Sequence, residues 1–157
     1  MIEHLALSGT VSKIAVWGRS MGAATAIMYM ANNQEKVSAA VLDSGFSNFH
    51  DIVNHIAMLQ FQIPPQFVQF LMMGVSQQIT ALTGGLNVND LTPVTFAPRC
   101  KVPAYFLHGK EDDFVLKHHT EQNFAAYGSD KKTVDYCSGG HNDSRPQDSI
   151  EKIVKFL

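Results

Sequence analysis

The segment Gly18-Arg19-Ser20-Met21-Gly22 follows directly on the apolar run Ile14-Ala15-Val16-Trp17 and leads directly into Ala23-Ala24-Thr25-Ala26-Ile27-Met28. A run of strand length, a turn with glycine at both ends and a helix-forming stretch together specify a strand-turn-helix unit. A Gly-x-Ser-x-Gly sequence carries chemical meaning only in that context, because the sharp turn between strand and helix is what lifts the serine hydroxyl clear of a sheet. The flanks of Ser20 meet both conditions, so the segment reads as a nucleophile elbow.

The remainder of the chain alternates in the same manner. Met1 to Leu7 carries apolar residues at Ile2, Leu5 and Ala6, the spacing of a helix face, and Ser8-Gly9-Thr10 ends it. After the elbow helix, Asn32 to Lys36 is a polar loop and Val37 to Leu42 a second strand closing at Asp43. Val102 to His108 and Thr133 to Cys137 are the third and fourth strands. Lys117 to Tyr127 has helical periodicity, and Gln147 to Leu157 is an amphipathic helix with Ile150, Ile153, Val154 and Leu157 on one face. Phe49 to Phe61 and Gln66 to Leu82 read as apolar-faced helices separated by Ile63-Pro64-Pro65, so residues 44–98 are expected to form a helical cap inserted into a single domain spanning 1–157. Strands alternating with helices predict an α/β protein: a three-layer sandwich around a mostly parallel sheet, with its ligand site beyond the carboxyl ends of the strands.

Composition narrows the function classes. With 157 residues, 45% apolar and 17% charged, and a formal net charge of -2, the chain fits one soluble globular domain. No Lys/Arg cluster offers a footprint for nucleic acid. Apolar stretches are interrupted well short of the roughly 18 residues that a spanning helix needs, so no transmembrane segment is expected. Cys100 and Cys137 lack metal-type spacing and read as reduced structural thiols, which favours a cytoplasmic setting.

A serine hydroxyl is a weak nucleophile at neutral pH; acyl transfer needs a histidine to take its proton and a carboxylate to hold the imidazole in the right tautomer. Ser20, Asp112 and His141 occur in that order, each just after its own strand. Asp112 competes for the acid position with Asp113, Glu111 and Asp43, any of which could serve as a turn acid or helix cap. His141 stands in the glycine-flanked stretch after the fourth strand. His4, His50, His55, His118 and His119 lack such placement and read as surface or cap residues; adjacent His118 and His119 do not share a helix face, so they make a poor metal pair. His108 reads as a buried, hydrogen-bonded structural histidine that could brace the acid loop. Met58, Met72, Met73, Phe61, Phe67 and Phe70 give the cap adaptable apolar surface, suited equally to an acyl pocket and to core packing.

The stretches VWGRSMGAATA, VLDSGFSN, LHGKEDDFV and GGHNDSRP resemble those of the α/β-hydrolase superfamily, and within it the serine aminopeptidase-like, Bem46-like hydrolases. The resemblance runs over most of 11–157. It implies Ser20 as nucleophile, Asp112 as acid, His141 as base and the backbone N–H of Met21 as one oxyanion-hole donor. It also implies four strands ahead of the elbow strand, with a second oxyanion donor after the third of them; the present sequence is therefore expected to correspond to the carboxyl-terminal part of such an enzyme, with an exposed sheet edge prone to self-association.

The expected function is a serine hydrolase of ester, thioester or amide bonds, acting on a small-molecule or acylated substrate without a metal or organic cofactor. The alternative is a catalytically impaired hydrolase fragment that serves as a scaffold or interaction protein. A cap that docks on membranes to reach acylated substrates is a third expectation, motivated by the Met and Phe content alone.

Overall fold

The computed structural model describes residues 2–157. Four parallel strands, β1 (Ala15–Arg19), β2 (Ala39–Asp43), β3 (Ala104–Gly109) and β4 (Lys132–Cys137), lie in the spatial order β1-β2-β3-β4. The register sets Arg19 beside Asp43, Asp43 beside Leu107 and Gly109 beside Cys137. All four carboxyl ends therefore face the same side, the condition for a site built from the turns that follow them.

Parallel strands covered on both faces read as continuous apolar runs. β2 and β3 are buried along their whole length, as Ala39-Ala40-Val41-Leu42 and Ala104-Tyr105-Phe106-Leu107 require. One face of the sheet, with Ala40, Leu42, Ala104 and Phe106, packs against α2 (Met21–Asn33) through Ala23, Ile27 and Met30. Phe106 meets Phe124 of α6 (Lys117–Ala126) and Tyr127 edge-on, at 5.5 and 5.4 Å between ring centroids. The opposite face, with Val41, Tyr105, Leu107 and Cys137, packs against α7 (Gln147–Phe156). α7 seats Ile153 in this core and Phe156 against Tyr105, while Val154 and Leu157 are exposed. The contacting face of α7 is thus rotated from the Ile150-Ile153-Val154-Leu157 stripe, because the aromatic side chain at 156 takes the place against the sheet.

β1 is an edge strand among the described residues. Its burial falls off accordingly, and Trp17 is 46% exposed. An open apolar groove of about 450 Å³ runs between β1, α2 and α1 (Ile2–Leu7), lined by Ile2, Val16, Trp17, Ala26 and Tyr29 among others. A four-residue helix, α5 (Pro93–Phe96), precedes β3.

The chain forms two compact units, one comprising the chain up to Ser47 with Pro93–Leu157, the other Asn48–Thr92. In the second unit, α3 (Phe49–Phe61) is capped by Asn48, whose side chain accepts the His50 N–H at 2.8 Å. It ends on Gln62 in the left-handed conformation before Pro64 and Pro65 start α4 (Pro65–Thr83). Ala57, Val68, Met72 and Val88 form the core of this unit. Of the six Met and Phe residues singled out there, Met72 is buried; Met58, Phe61, Phe67, Phe70 and Met73 are exposed.

Candidate active site

Ser20 stands between the last residue of β1 and the first of α2, with φ 54° and ψ -116°. A side chain in this region is strained, and such strain persists only where its surroundings hold it. Here the Ser20 N–H donates to the Asp43 carbonyl at 2.8 Å, and its own carbonyl accepts the Ala24 N–H at 3.1 Å, opening the helix. Gly18 is required by sterics: a Cβ there would run into the backbone of Gly22 and Ala23. A Cβ at Gly22 would meet nothing within 4 Å. The Met21 N–H lies in the first turn of α2, whose donors have no acceptor within the helix and sit at its positive dipole end.

Asp112 lies in the turn after β3. One of its carboxylate oxygens accepts the N–H groups of Phe114 at 3.2 Å and Val115 at 2.8 Å. The other is 2.8 Å from Nδ1 of His141, in the turn after β4. Burial pushes the Asp112 carboxyl up, but the hydrogen bonds from His141 and Val115, the electrostatic attraction of the His141 ring and a hydrogen bond from Ser44 outweigh it and hold the group below the ordinary carboxylate value of 3.8. An ionised Asp112 accepts only, so Nδ1 of His141 is the donor and Nε2 is left with a free lone pair. The His141 side chain is 10% exposed and packs against Phe114, 4.9 Å between ring centroids.

The competing carboxylates are engaged elsewhere. Glu111 accepts the Gly139 N–H at 2.6 Å and so ties the acid turn to the histidine turn. Asp43, wholly buried, is bound by Arg19 at 2.9 Å and by Arg145 at 2.7 Å. Asp113 is exposed. Among these acids, Asp112 is the one bonded to His141.

His108 is fully buried, with Nδ1 2.8 Å from the Thr120 hydroxyl and Nε2 without a hydrogen-bond partner among the described residues. Burial pushes its pKa below 6.5. His119, expected at a surface or cap position, is instead buried on α6, its Nδ1 2.8 Å from the Ser47 hydroxyl. The rotation of about 100° between successive helix positions is the reason: His118 is exposed, and its neighbour on α6 turns onto the segment after β2. Sequence reading passed over the contacts of Arg19, Arg145 and Asp43. Their partners lie 24 and 102 positions apart, and the one local signal was an acid closing an apolar strand.

Among the described residues no group of three or more His, Cys, Asp or Glu side chains is arranged to hold a metal ion, and no helix is long and apolar enough to cross a membrane.

Comparison with known proteins agrees with this architecture. The chain superimposes on an esterase of Pyrococcus furiosus with a TM-score of 0.69 at 16% identity, covering 98% of the chain and 56% of the esterase. It matches a monoacylglycerol lipase of Paleococcus ferrophilus with a TM-score of 0.68 at 17% identity, covering 99% and 72%. In sequence it is 26% identical to the protein bem46 of Schizosaccharomyces pombe over 155 residues, 98% of this chain and 45% of that protein. The chain has the α/β-hydrolase fold and is similar to Bem46-like proteins. A second relative is the alpha/beta hydrolase domain-containing protein WAV2 of Arabidopsis thaliana, 26% identical over 136 residues, 85% of this chain and 42% of that one. The chain thus spans less than half the length of these curated relatives. No protein-family model matches it.

Proposed function

We propose that this α/β-hydrolase is a serine hydrolase that cleaves ester, thioester or amide bonds through an acyl-enzyme intermediate. The observation that carries the reading is the bond between Asp112 and His141 at 2.8 Å, at the same end of the sheet as the strained Ser20. Nε2 of His141 takes the Ser20 proton as Oγ attacks the substrate carbonyl; Asp112 keeps the imidazole in the required tautomer and stabilises its cation. Negative charge developing on the carbonyl oxygen meets the Met21 N–H at the positive end of α2. His141 then returns the proton to the leaving group, and water, activated by the same base, releases the acyl group. The names of the matched structures, an esterase, a monoacylglycerol lipase and an acylaminoacyl peptidase, span ester and amide substrates and favour acyl transfer as the shared chemistry.

A fluorophosphonate probe tests the proposal. Covalent labelling of the folded chain that disappears in Ser20→Ala supports it; labelling that survives this substitution, or a folded chain that never labels, overturns it for this polypeptide.

The exposure of Trp17 on an edge strand supports a second reading, in which the chain acts as a scaffold that pairs β1 with a partner or a second copy.

A further inference from the structure

Ser20 and His141 come from opposite edges of the sheet. Ser20 follows β1, His141 follows β4, and two strands separate them. Asp112 fixes His141 from the turn after β3, but its hydrogen bonds with Phe114, Val115 and His141 do not reach β1. Proton transfer requires the two turns to keep a common register across the width of the sheet.

One residue is bonded toward both. The main-chain carbonyl of Asp43, at the end of β2, accepts the Ser20 N–H at 2.8 Å. Its carboxylate takes Nε and Nη2 of Arg145 at 3.0 and 2.7 Å, and Arg145 donates through Nη1 to the carbonyl of Gly140, the residue before His141, at 2.9 Å. Nη2 of Arg145 also reaches the Ser44 hydroxyl at 3.0 Å. From the other side Arg19, adjacent to Ser20, donates to Asp43 at 2.9 Å and to the Asp143 carbonyl at 3.3 Å, while Asp143 accepts the Gly140 N–H at 2.7 Å. The Asp43 and Arg145 side chains are 0% and 1% exposed. A buried ion pair is weak support for stability, because desolvation offsets its attraction; what a planar, forked pair supplies is fixed geometry.

We propose that Asp43 and Arg145 are positioning residues which hold the His141 turn in register with the Ser20 elbow. The proposal deepens the serine-hydrolase reading and rests on it for its kinetic consequence. It also has a consequence independent of turnover: the brace holds the Gly140 carbonyl, and with it the imidazole whose Nδ1–H is shielded between Asp112 and Phe114. A guanidinium is needed because one lysine ammonium cannot reach the carboxylate, the Ser44 hydroxyl and the Gly140 carbonyl from a single rigid plane.

The test follows the downfield proton resonance of His141 Nδ1–H by NMR, assigned by its loss in Asp112→Asn, beside the rate of Ser20-dependent fluorophosphonate labelling. Two variants are compared with the parent: Arg145→Lys, and the double variant Asp43→Leu/Arg145→Met, which removes both charges so that neither is left buried alone. Circular dichroism establishes that each is folded. The expected result is a resonance lost to solvent exchange in the double variant and broadened in Arg145→Lys, with labelling slowed on the order of 10²-fold and about 10-fold respectively, as ångström-scale misplacement of reacting groups predicts. A folded variant that keeps the resonance and labels within about twofold of the parent overturns the brace, by the same scale of effect. A parent without the resonance overturns it as well, since the pairing it is meant to hold is then missing. A parent with the resonance but without Ser20-dependent labelling rejects the serine-hydrolase reading, and the resonance in the variants still decides the brace.

Discussion

His141 gives its Nδ1–H to Asp112 across 2.8 Å, and the opposite oxygen of that carboxylate is held by the Val115 N–H at the same distance. Both oxygens of the acid are thus fixed, so the imidazole is aimed by a group that cannot itself rotate. Asp112→Asn keeps the shape but presents an amide that can donate to Nδ1, which moves the ring proton to Nε2 and removes the base. The expected outcome is a fall in Ser20-dependent labelling or ester turnover of about 10³- to 10⁴-fold, the scale found when a triad acid is so replaced. Stopped-time labelling of parent and variant checks it; a loss smaller than tenfold would assign the orienting role elsewhere.

The two glycines of the elbow make a sharper contrast than their shared motif implies. A side chain at Gly18 collides with the backbone of Gly22, whereas one at Gly22 enters open space in the first turn of α2. Gly18→Ala is expected to destabilise by about 1–3 kcal/mol, the usual range for overpacking. Gly22→Ala is expected to be neutral or to stabilise by up to about 1 kcal/mol, because alanine is the better helix residue and restricts the unfolded chain. Urea melts of the two variants give the comparison directly.

Much of the architecture was legible because it is written in local periodicity. The four strands and the helices flanking Ser20, Asp112 and His141 fall within a few residues of the runs that suggested them, and α3 spans Phe49–Phe61 as its apolar spacing indicates. Four-residue α5 carries too few residues to show a period. The packed face of α7 differs from the apolar stripe because periodicity locates the stripe but not which part of it the sheet face will cover; Phe156 takes the place that spacing alone gives to Val154. The brace through Asp43 was illegible for a different reason. An acid at the end of β2 is compatible with a cap, a catalytic role or a turn, and only its approach to Arg145, 102 positions away, tells these apart.

The exposed edge of β1 carries its own expectation. Trp17 is 46% exposed on a strand that has β2 on one side, beside an apolar groove of about 450 Å³. Unpaired edges of this kind associate unless a charge blocks them. Sedimentation velocity of the chain is expected to show concentration-dependent association that Trp17→Lys reduces, with little change in the thermal midpoint. A parent that stays monomeric across the accessible concentration range would remove the self-association reading.

His108 sets the behaviour in mild acid. Burial lowers its pKa below 6.5, so between that value and the lowered one the unfolded chain holds a proton that the folded chain refuses. The unfolded state binds more protons in this window, and stability must therefore rise with pH through it, equivalently fall as the solution is acidified below about 6.5. Asp112 acts in the same direction at lower pH: its folded value lies below 3.8, so its contribution is complete above the unfolded value and lost as pH falls through the folded one. Substitution distinguishes the two groups. His108→Gln is expected to flatten the dependence of the urea midpoint on pH just below 6.5, where a neutral side chain has no proton to refuse, while leaving the loss at more acidic pH that Asp112→Asn reduces. A His108→Gln profile parallel to that of the parent across the upper window would show that another group governs it.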